Sequence, residues 1–227
     1  MSFLFCCCSC PAQAENPAER QPLLQPQSAR QFRPERHGEK CGRCVVKLVG
    51  VPELDQSFVD IADTFNRQQE GHQAMTQSVR RLKSSAGGGP GSSLSDCLEQ
   101  MKKEHGACNI SIQMKGYDFS LVVQPDATSA KLLEAQEQVR RASQGSKSVA
   151  AAGTKLQEMI SSVLQGEALL SRRVKEASQT YQEQVRVEAN LRDNLLEVRR
   201  ARELSAQYRK EAGALLNEVA QLAGITP

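Results

Sequence analysis

Between Pro125 and Pro227 the chain has no proline, and apolar residues return there in steps of mostly three and four. That spacing is the period of a helix with one apolar stripe, repeated long enough to make a coiled-coil seam. The stripe runs through Leu156, Ile160, Val163, Leu170 and Val174, passes Tyr181 and Val185, and continues along Leu191, Leu195 and Val198. It ends on Leu204, Tyr208, Ala212, Leu215, Val219 and Leu222. Charges occupy or border it near Glu167 and Arg202, and Gly145 and Gly153 flank an Ala-rich stretch where the helix is expected to divide. One unbroken helix over 128–224 would be about 140 Å long at ~1.5 Å per residue. The alternative is a helix folded back on itself. In either form the seam needs a cover: self-association, a returning helix, or a partner helix.

The preceding segment, 45–125, reads as a small α/β unit. Val45, Val46, Leu48 and Val49 form a short β-branched run before Pro52. From Asp55 onward Phe58, Ile61, Ala62 and Phe65 recur at helical spacing, followed by Met75, Val79 and Leu82. A Gly-rich loop over 86–93 separates this helix from a shorter one running from Leu94 to about His105, capped by Ser93 or Ser95. Ile110, Ile112 and Met114 then alternate with polar residues. A Lys115-Gly116-Tyr117-Asp118 turn comes next, and Phe119, Leu121 and Val123 alternate again, which is the pattern of a β-hairpin.

Residues 1–44 differ in kind. Pro11, Pro17, Pro22, Pro26 and Pro34 are scattered among Gln, Glu and Arg, a composition too poor in apolar surface to offset chain entropy. The expectation is a disordered tether. At its head stands Phe3-Leu4-Phe5-Cys6-Cys7-Cys8-Ser9-Cys10. Crowded cysteines make poor structural disulfides, because bridge geometry needs separated and properly aimed partners. They do suit S-acylation, since short apolar residues bring the thiols to the bilayer surface and two or more acyl chains make anchoring stable. Residue 2 is serine, so Cys6, Cys7, Cys8 and Cys10 carry the lipid in this reading rather than an N-myristoyl glycine. Ala12-Gln13-Ala14 imitates a signal-peptidase site, but no positive charge precedes the apolar run, which favours a cytosolic topology.

Behind the cluster, Glu19-Arg20-Gln21-Pro22-Leu23-Leu24 resembles an acidic dileucine sorting signal, the type read by clathrin-adaptor complexes. Two adjacent leucines would enter apolar pockets while Glu19 meets a basic patch, with Pro22 favouring the extended form. The bland counterpart is a pair of leucines in a polar tail.

Other chemistry finds less support. Cys41-Gly42-Arg43-Cys44 resembles half a zinc knuckle, but Cys97, His105 and Cys108 offer a second half only at irregular spacing. The three histidines lie apart, and no Ser-His-Asp context or phosphate loop is present; Glu104-His105 beside Cys108 has the parts of a thiol–imidazole pair, with a surface helix end as the commoner explanation. No enzyme activity, metal or cofactor is expected. A net charge of only +3 and the lack of a basic run interleaved with aromatics give no reason to expect nucleic-acid binding. Glu134–Gln138, Glu176–Thr180 and Glu188–Arg192 are helical pairs on the polar face. Arg199, Arg200 and Arg202 are expected either on a solvated face or against anionic lipid.

The fold class expected is therefore mainly α, with a coiled-coil C-terminal region, a hairpin-bearing middle unit and a disordered N-terminal tail. The functional expectation is an S-acylated adaptor or scaffold on the cytoplasmic face of endosomal, lysosomal or Golgi membranes, acting through coiled-coil contacts. The layout is similar to that of subunits of lysosome-positioning and endosome-biogenesis complexes, with no diagnostic motif shared. One alternative is a tethering or fusion factor, with Gln184 near the seam of a helix given to a multi-helix bundle. Another is a cysteine-based metal or redox protein.

Overall fold

The computed structural model describes residues 42–89, 91–125 and 129–225. The elements in chain order are α1 (Pro52–Ser85), α2 (Leu94–Glu104), β1 (Asn109–Lys115), β2 (Asp118–Gln124), α3 (Ala130–Gln165), α4 (Glu167–Ala177) and α5 (Tyr181–Leu222). The chain is mainly helical, with one antiparallel hairpin in the middle and its longest helix at the C-terminal end, as the periodicity predicts.

α1 opens at a proline, whose fixed φ suits the first helical position and whose missing N–H would have had no partner there. One face of it buries Leu54, Phe58, Ile61, Ala62, Phe65, Met75 and Leu82. Side chains such as Phe58 and Ile61 each contribute roughly 1.5–3 kcal/mol when fully withdrawn from water. Ser93 caps α2 by a capping box: its hydroxyl accepts from the Asp96 N–H at 3.0 Å, and the Asp96 carboxylate accepts from the Ser93 N–H at 2.9 Å. In the hairpin, Ile110 faces Val123, Ile112 faces Leu121 and Met114 faces Phe119. Gly116, at φ +62°, turns the chain where a side chain would be strained.

The long seam folds back on itself. α3 runs antiparallel to α1, α4 turns the corner, and α5 returns parallel to α1. Leu156, Ile160, Leu170, Val174, Leu191, Leu195, Val198, Tyr208, Ala212 and Val219 are all buried in a core shared with α1 and the hairpin. The stretches 45–125 and 129–225 thus build one core in common.

Gly145 and Gly153 do not divide the helix, contrary to expectation; both lie inside α3. A Cβ on Gly145 would stand 2.7 Å from the carbonyl oxygen of Gly71 and 2.9 Å from the Met75 nitrogen, so this glycine lets two helix backbones touch. The breaks come later, at Gly166 and at Ser178–Thr180. Thr180 lies outside the helix and caps α5, its hydroxyl accepting from the Glu183 N–H at 3.2 Å, so the expected Glu176–Thr180 helical pair does not form. The β-branched run at Val45–Val49 is extended but pairs with no strand among the described residues.

Each groove of this three-helix bundle has its own filling. α1 and α3 meet closely at Gly71 and Gly145. The hairpin covers α3 and reaches α5. It is held to α3 by the Ser143 hydroxyl, which accepts from the Phe119 N–H at 2.9 Å, and by Gln136, which donates to the Leu121 carbonyl at 3.2 Å. The α1/α5 groove is filled along one half by the extended segment 42–49.

Candidate interaction surface

Cys6, Cys7, Cys8 and Cys10, together with Glu19, Leu23 and Leu24, lie outside the described residues. Residues 42–44, expected within the tether, lie against the bundle instead, and Cys44 is buried.

The segment is bound by side-chain amides acting as strand partners. Asn66 of α1 accepts from the Cys44 N–H at 2.7 Å and donates to the Cys44 carbonyl at 3.1 Å. On the opposite flank Asn194 of α5 accepts from the Lys47 N–H at 2.8 Å and donates to the Lys47 carbonyl at 2.7 Å. Asn190 donates to the Leu48 carbonyl at 2.8 Å, and Asp55 accepts from the Val49 N–H at 2.7 Å. An extended chain laid between two helices has backbone groups pointing to each side in turn, and here both sides are answered. Cys44 and Val49 point inward, whereas Val45 and Leu48 are 71% and 68% exposed.

Traced backward from Val49 to Gly42, the segment climbs α1 from Asp55 to Glu70 and α5 from Asn190 to Arg200. Arg43 pairs with Glu70, and Arg200 donates to the Gly42 carbonyl while holding Glu197 and lying over the Phe65 ring. Arg199 pairs with Glu167 at 2.5 Å. Two of the three clustered arginines thus hold the fold together, and Arg202 alone is left on the exposed side.

Above Arg200 the groove is crossed by stacked rings. Tyr208 lies against Phe65 and, at 4.1 Å between centroids, against His72. The His72 Nε2 is 2.6 Å from the Glu211 carboxylate. Burial pushes the Glu211 carboxyl up, but hydrogen bonds from His72 and Gln207 outweigh it and hold it below the ordinary range. Beyond the stack the groove opens into a cleft of about 610 Å³, floored by Met75, Val79 and Leu215.

Two of the three cysteines that the structure describes, Cys44 and Cys97, are poorly suited to reaction. Burial, reinforced by Glu197, pushes the Cys44 thiol up to about 11, and burial also raises Cys97. A thiol so held stays protonated near neutrality and is a weak nucleophile and a weak metal ligand. Cys108 and His105 meet through backbone alone, the Cys108 N–H donating to the His105 carbonyl at 2.8 Å. Among the described residues no three His, Cys, Asp or Glu side chains converge as a metal site.

With the seam turned inward, the apolar groups left on the surface include Val45, Leu48, Tyr181, Val185 and Leu196. Tyr181 and Val185, which the periodicity assigns to the stripe, are exposed instead, Tyr181 at 80%. Tyr181, Val185 and Leu196 share the outer face of α5 by their helical spacing. The periodicity gives no sign of the Asn66 and Asn194 clamps, because they act through single polar residues on otherwise apolar faces. No helix among the described residues is long and apolar enough to cross a membrane. No family model, curated protein or solved structure matches this chain.

Proposed function

We propose that this chain is an S-acylated adaptor held on the cytoplasmic face of an endosomal, lysosomal or Golgi membrane, presenting a helical bundle to protein partners. The observation that carries the reading is the cluster Cys6, Cys7, Cys8 and Cys10 beside Phe3, Leu4 and Phe5. Apolar residues next to several thiols meet the needs of membrane acyltransferases, and two or more acyl chains convert weak contact into stable anchoring.

Glu19, Leu23 and Leu24 then act as a sorting signal within reach of that anchor, engaging a clathrin adaptor at the same membrane. The bundle supports an interaction role more than a catalytic one, since its buried thiols are held protonated. It also favours presentation of a finished surface over donation of a helix to a fusion bundle. Taking α5 away would expose Leu191, Leu195, Val198 and Val219, which are buried against the rest of the core. Partner contacts fall instead to exposed apolar groups such as Tyr181, Val185, Leu196, Val45 and Leu48.

Imaging in cells tests the proposal. Conversion of Cys6, Cys7, Cys8 and Cys10 to serine is expected to release the protein into the cytosol. Leu23→Ala with Leu24→Ala is expected to move it between membranes without releasing it. Unchanged membrane retention of the serine variant would overturn the anchor, and an unchanged distribution of the alanine variant would overturn the sorting signal.

A further inference from the structure

The α1/α5 groove continues past the segment that fills it. Between Val49 and Cys44 that segment moves from Asp55 to Asn66, eleven residues of α1 for five of its own. At ~1.5 Å per helical residue this is about 3.3 Å for each residue of the segment, the rise of an extended chain. Arg43 then reaches Glu70, and Arg200 holds the Gly42 carbonyl, so at Gly42 the line of the chain points along the groove beyond Glu70. There, past the Tyr208–His72 stack, the same two helices bound the cleft of about 610 Å³.

Carried on at the same rise, the chain meets Met75 about four residues before Cys44 and Ser84 about eight before it. Those positions are Lys40 and Arg36. Alternate residues of an extended chain share a side, so Lys40, Gly38 and Arg36 fall on the inward side set by Cys44, and Glu39 on the outward side. The cleft answers that order. Its floor of Met75, Val79 and Leu215 is apolar and suits the methylene stems of a lysine and an arginine. Glu211 and Glu218, half-buried on α5, stand about two turns apart along it. Hydrogen bonds with His72 and from the Leu94 N–H fix these two carboxylates and leave their charge to be met. Their separation of about 10 Å along the helix is close to the ~13 Å between Lys40 and Arg36 in an extended chain. On the other wall Lys83 already faces Asp96, whereas Arg80 stands exposed at the rim.

We propose that the open half of the groove is the seat of the chain's own segment 35–41, with Lys40 against Glu211, Arg36 against Glu218 and Glu39 against Arg80. A cleft lined by charges of both signs is complemented by a segment that carries both. Its attachment at Gly42 delivers it at the mouth of the cleft, at an effective concentration of the order of mM that a free peptide rarely reaches. The link between the N-terminal cysteines and the bundle then ends near residue 34 rather than at Gly42. The proposal is independent of the acylation reading, because it concerns another part of the chain and is measured without lipid.

The test uses the full unacylated chain with isotope-labelled methionine methyls. Amides of residues 36–41 should exchange with solvent about tenfold or more slowly than those of residues 27–32. Arg36→Glu with Lys40→Glu should abolish that protection and shift the Met75 methyl signal, while circular dichroism and the other methionine signals stay as they are. Ala214→Trp, at an exposed position in the cleft, should release the segment without altering it. A synthetic peptide of residues 33–42 carrying Cys41→Ser, added to the Arg36→Glu, Lys40→Glu chain, should return the Met75 signal toward its original position in a saturable way. Equal exchange over 27–32 and 36–41, or a Met75 signal that the double variant leaves unmoved, would overturn the proposal. Protection that grows with protein concentration would overturn it in favour of a segment supplied by a second copy of the chain.

Discussion

The side-chain amide of Asn194 closes both backbone groups of Lys47, accepting from its N–H at 2.8 Å and donating to its carbonyl at 2.7 Å. Asn66 does the same for Cys44 from the other helix. An amide is the shortest side chain able to give and to accept in this way, so each asparagine replaces a missing strand.

Asn194→Ala should therefore destabilise the fold by about 2–3 kcal/mol, since two hydrogen bonds go and two backbone groups lose their partners. Asn194→Asp keeps the size but puts a carboxylate against the Lys47 carbonyl, and should cost stability as well. Denaturant midpoints check both. Hydrogen exchange should show residues 44–49 losing protection before the helices do.

Gly145 and Gly213 should respond in opposite directions to alanine. At Gly145 a methyl group would meet backbone atoms of Gly71 and Met75 at 2.7–2.9 Å, so the helices must separate, at about 1–3 kcal/mol. Gly213, inside α5, has nothing within 4 Å of a Cβ. There alanine should stabilise by up to about 1 kcal/mol through helix propensity. Thermal unfolding of the two variants tests the difference.

Acid should weaken the fold through carboxylates held below their ordinary range. Hydrogen bonds from Arg140 and Arg141 bring Glu137 down from 4.5 to about 2, and those from His72 and Gln207 lower Glu211 against the upward pull of its burial. A carboxyl depressed in the folded state stabilises above its unfolded pKa and loses that contribution as pH falls through its folded value. The loss from these groups should thus begin near pH 4.5 and extend toward about 2. In Glu211→Gln and Glu137→Gln the fall in melting temperature over this window should be shallower than in the unaltered chain.

Cys44 and Cys97 should resist alkylation in the native protein at neutral pH, because burial keeps both thiols protonated and out of reach. Mass spectrometry after a brief iodoacetamide pulse should find them unmodified until denaturant is added. Rapid native labelling of Cys44 would contradict the packing of segment 42–49.

The elements themselves were legible wherever one period ran without interruption. The hairpin is written in the alternation of Ile110, Ile112 and Met114 with Phe119, Leu121 and Val123, and the start of α2 in its Ser93 cap. The turn between α4 and α5 also carried a signal, since Thr180 and Glu183 have capping-box spacing in the middle of the stripe. Periodicity hides it, because the apolar steps carry on through Tyr181. Gly145 misleads for the opposite reason: a glycine that weakens an isolated helix can serve the approach of another, and only the position of α1 distinguishes the two. The cleft could not be anticipated, since Arg80 and Lys83 acquire their setting from Leu215, far along the chain.

Everything proposed for the location of this chain rests on thioester-linked lipid at its N-terminal cysteines. Acyl exchange measures that lipid directly: hydroxylamine releases thioester-bound chains, and a mass tag then counts the freed thiols. A hydroxylamine-dependent shift of about two tags or more is expected. The shift should vanish in the Cys6, Cys7, Cys8 and Cys10 serine variant, together with its membrane fraction. A membrane-bound wild-type chain showing no hydroxylamine-dependent shift would contradict acylation as the anchor.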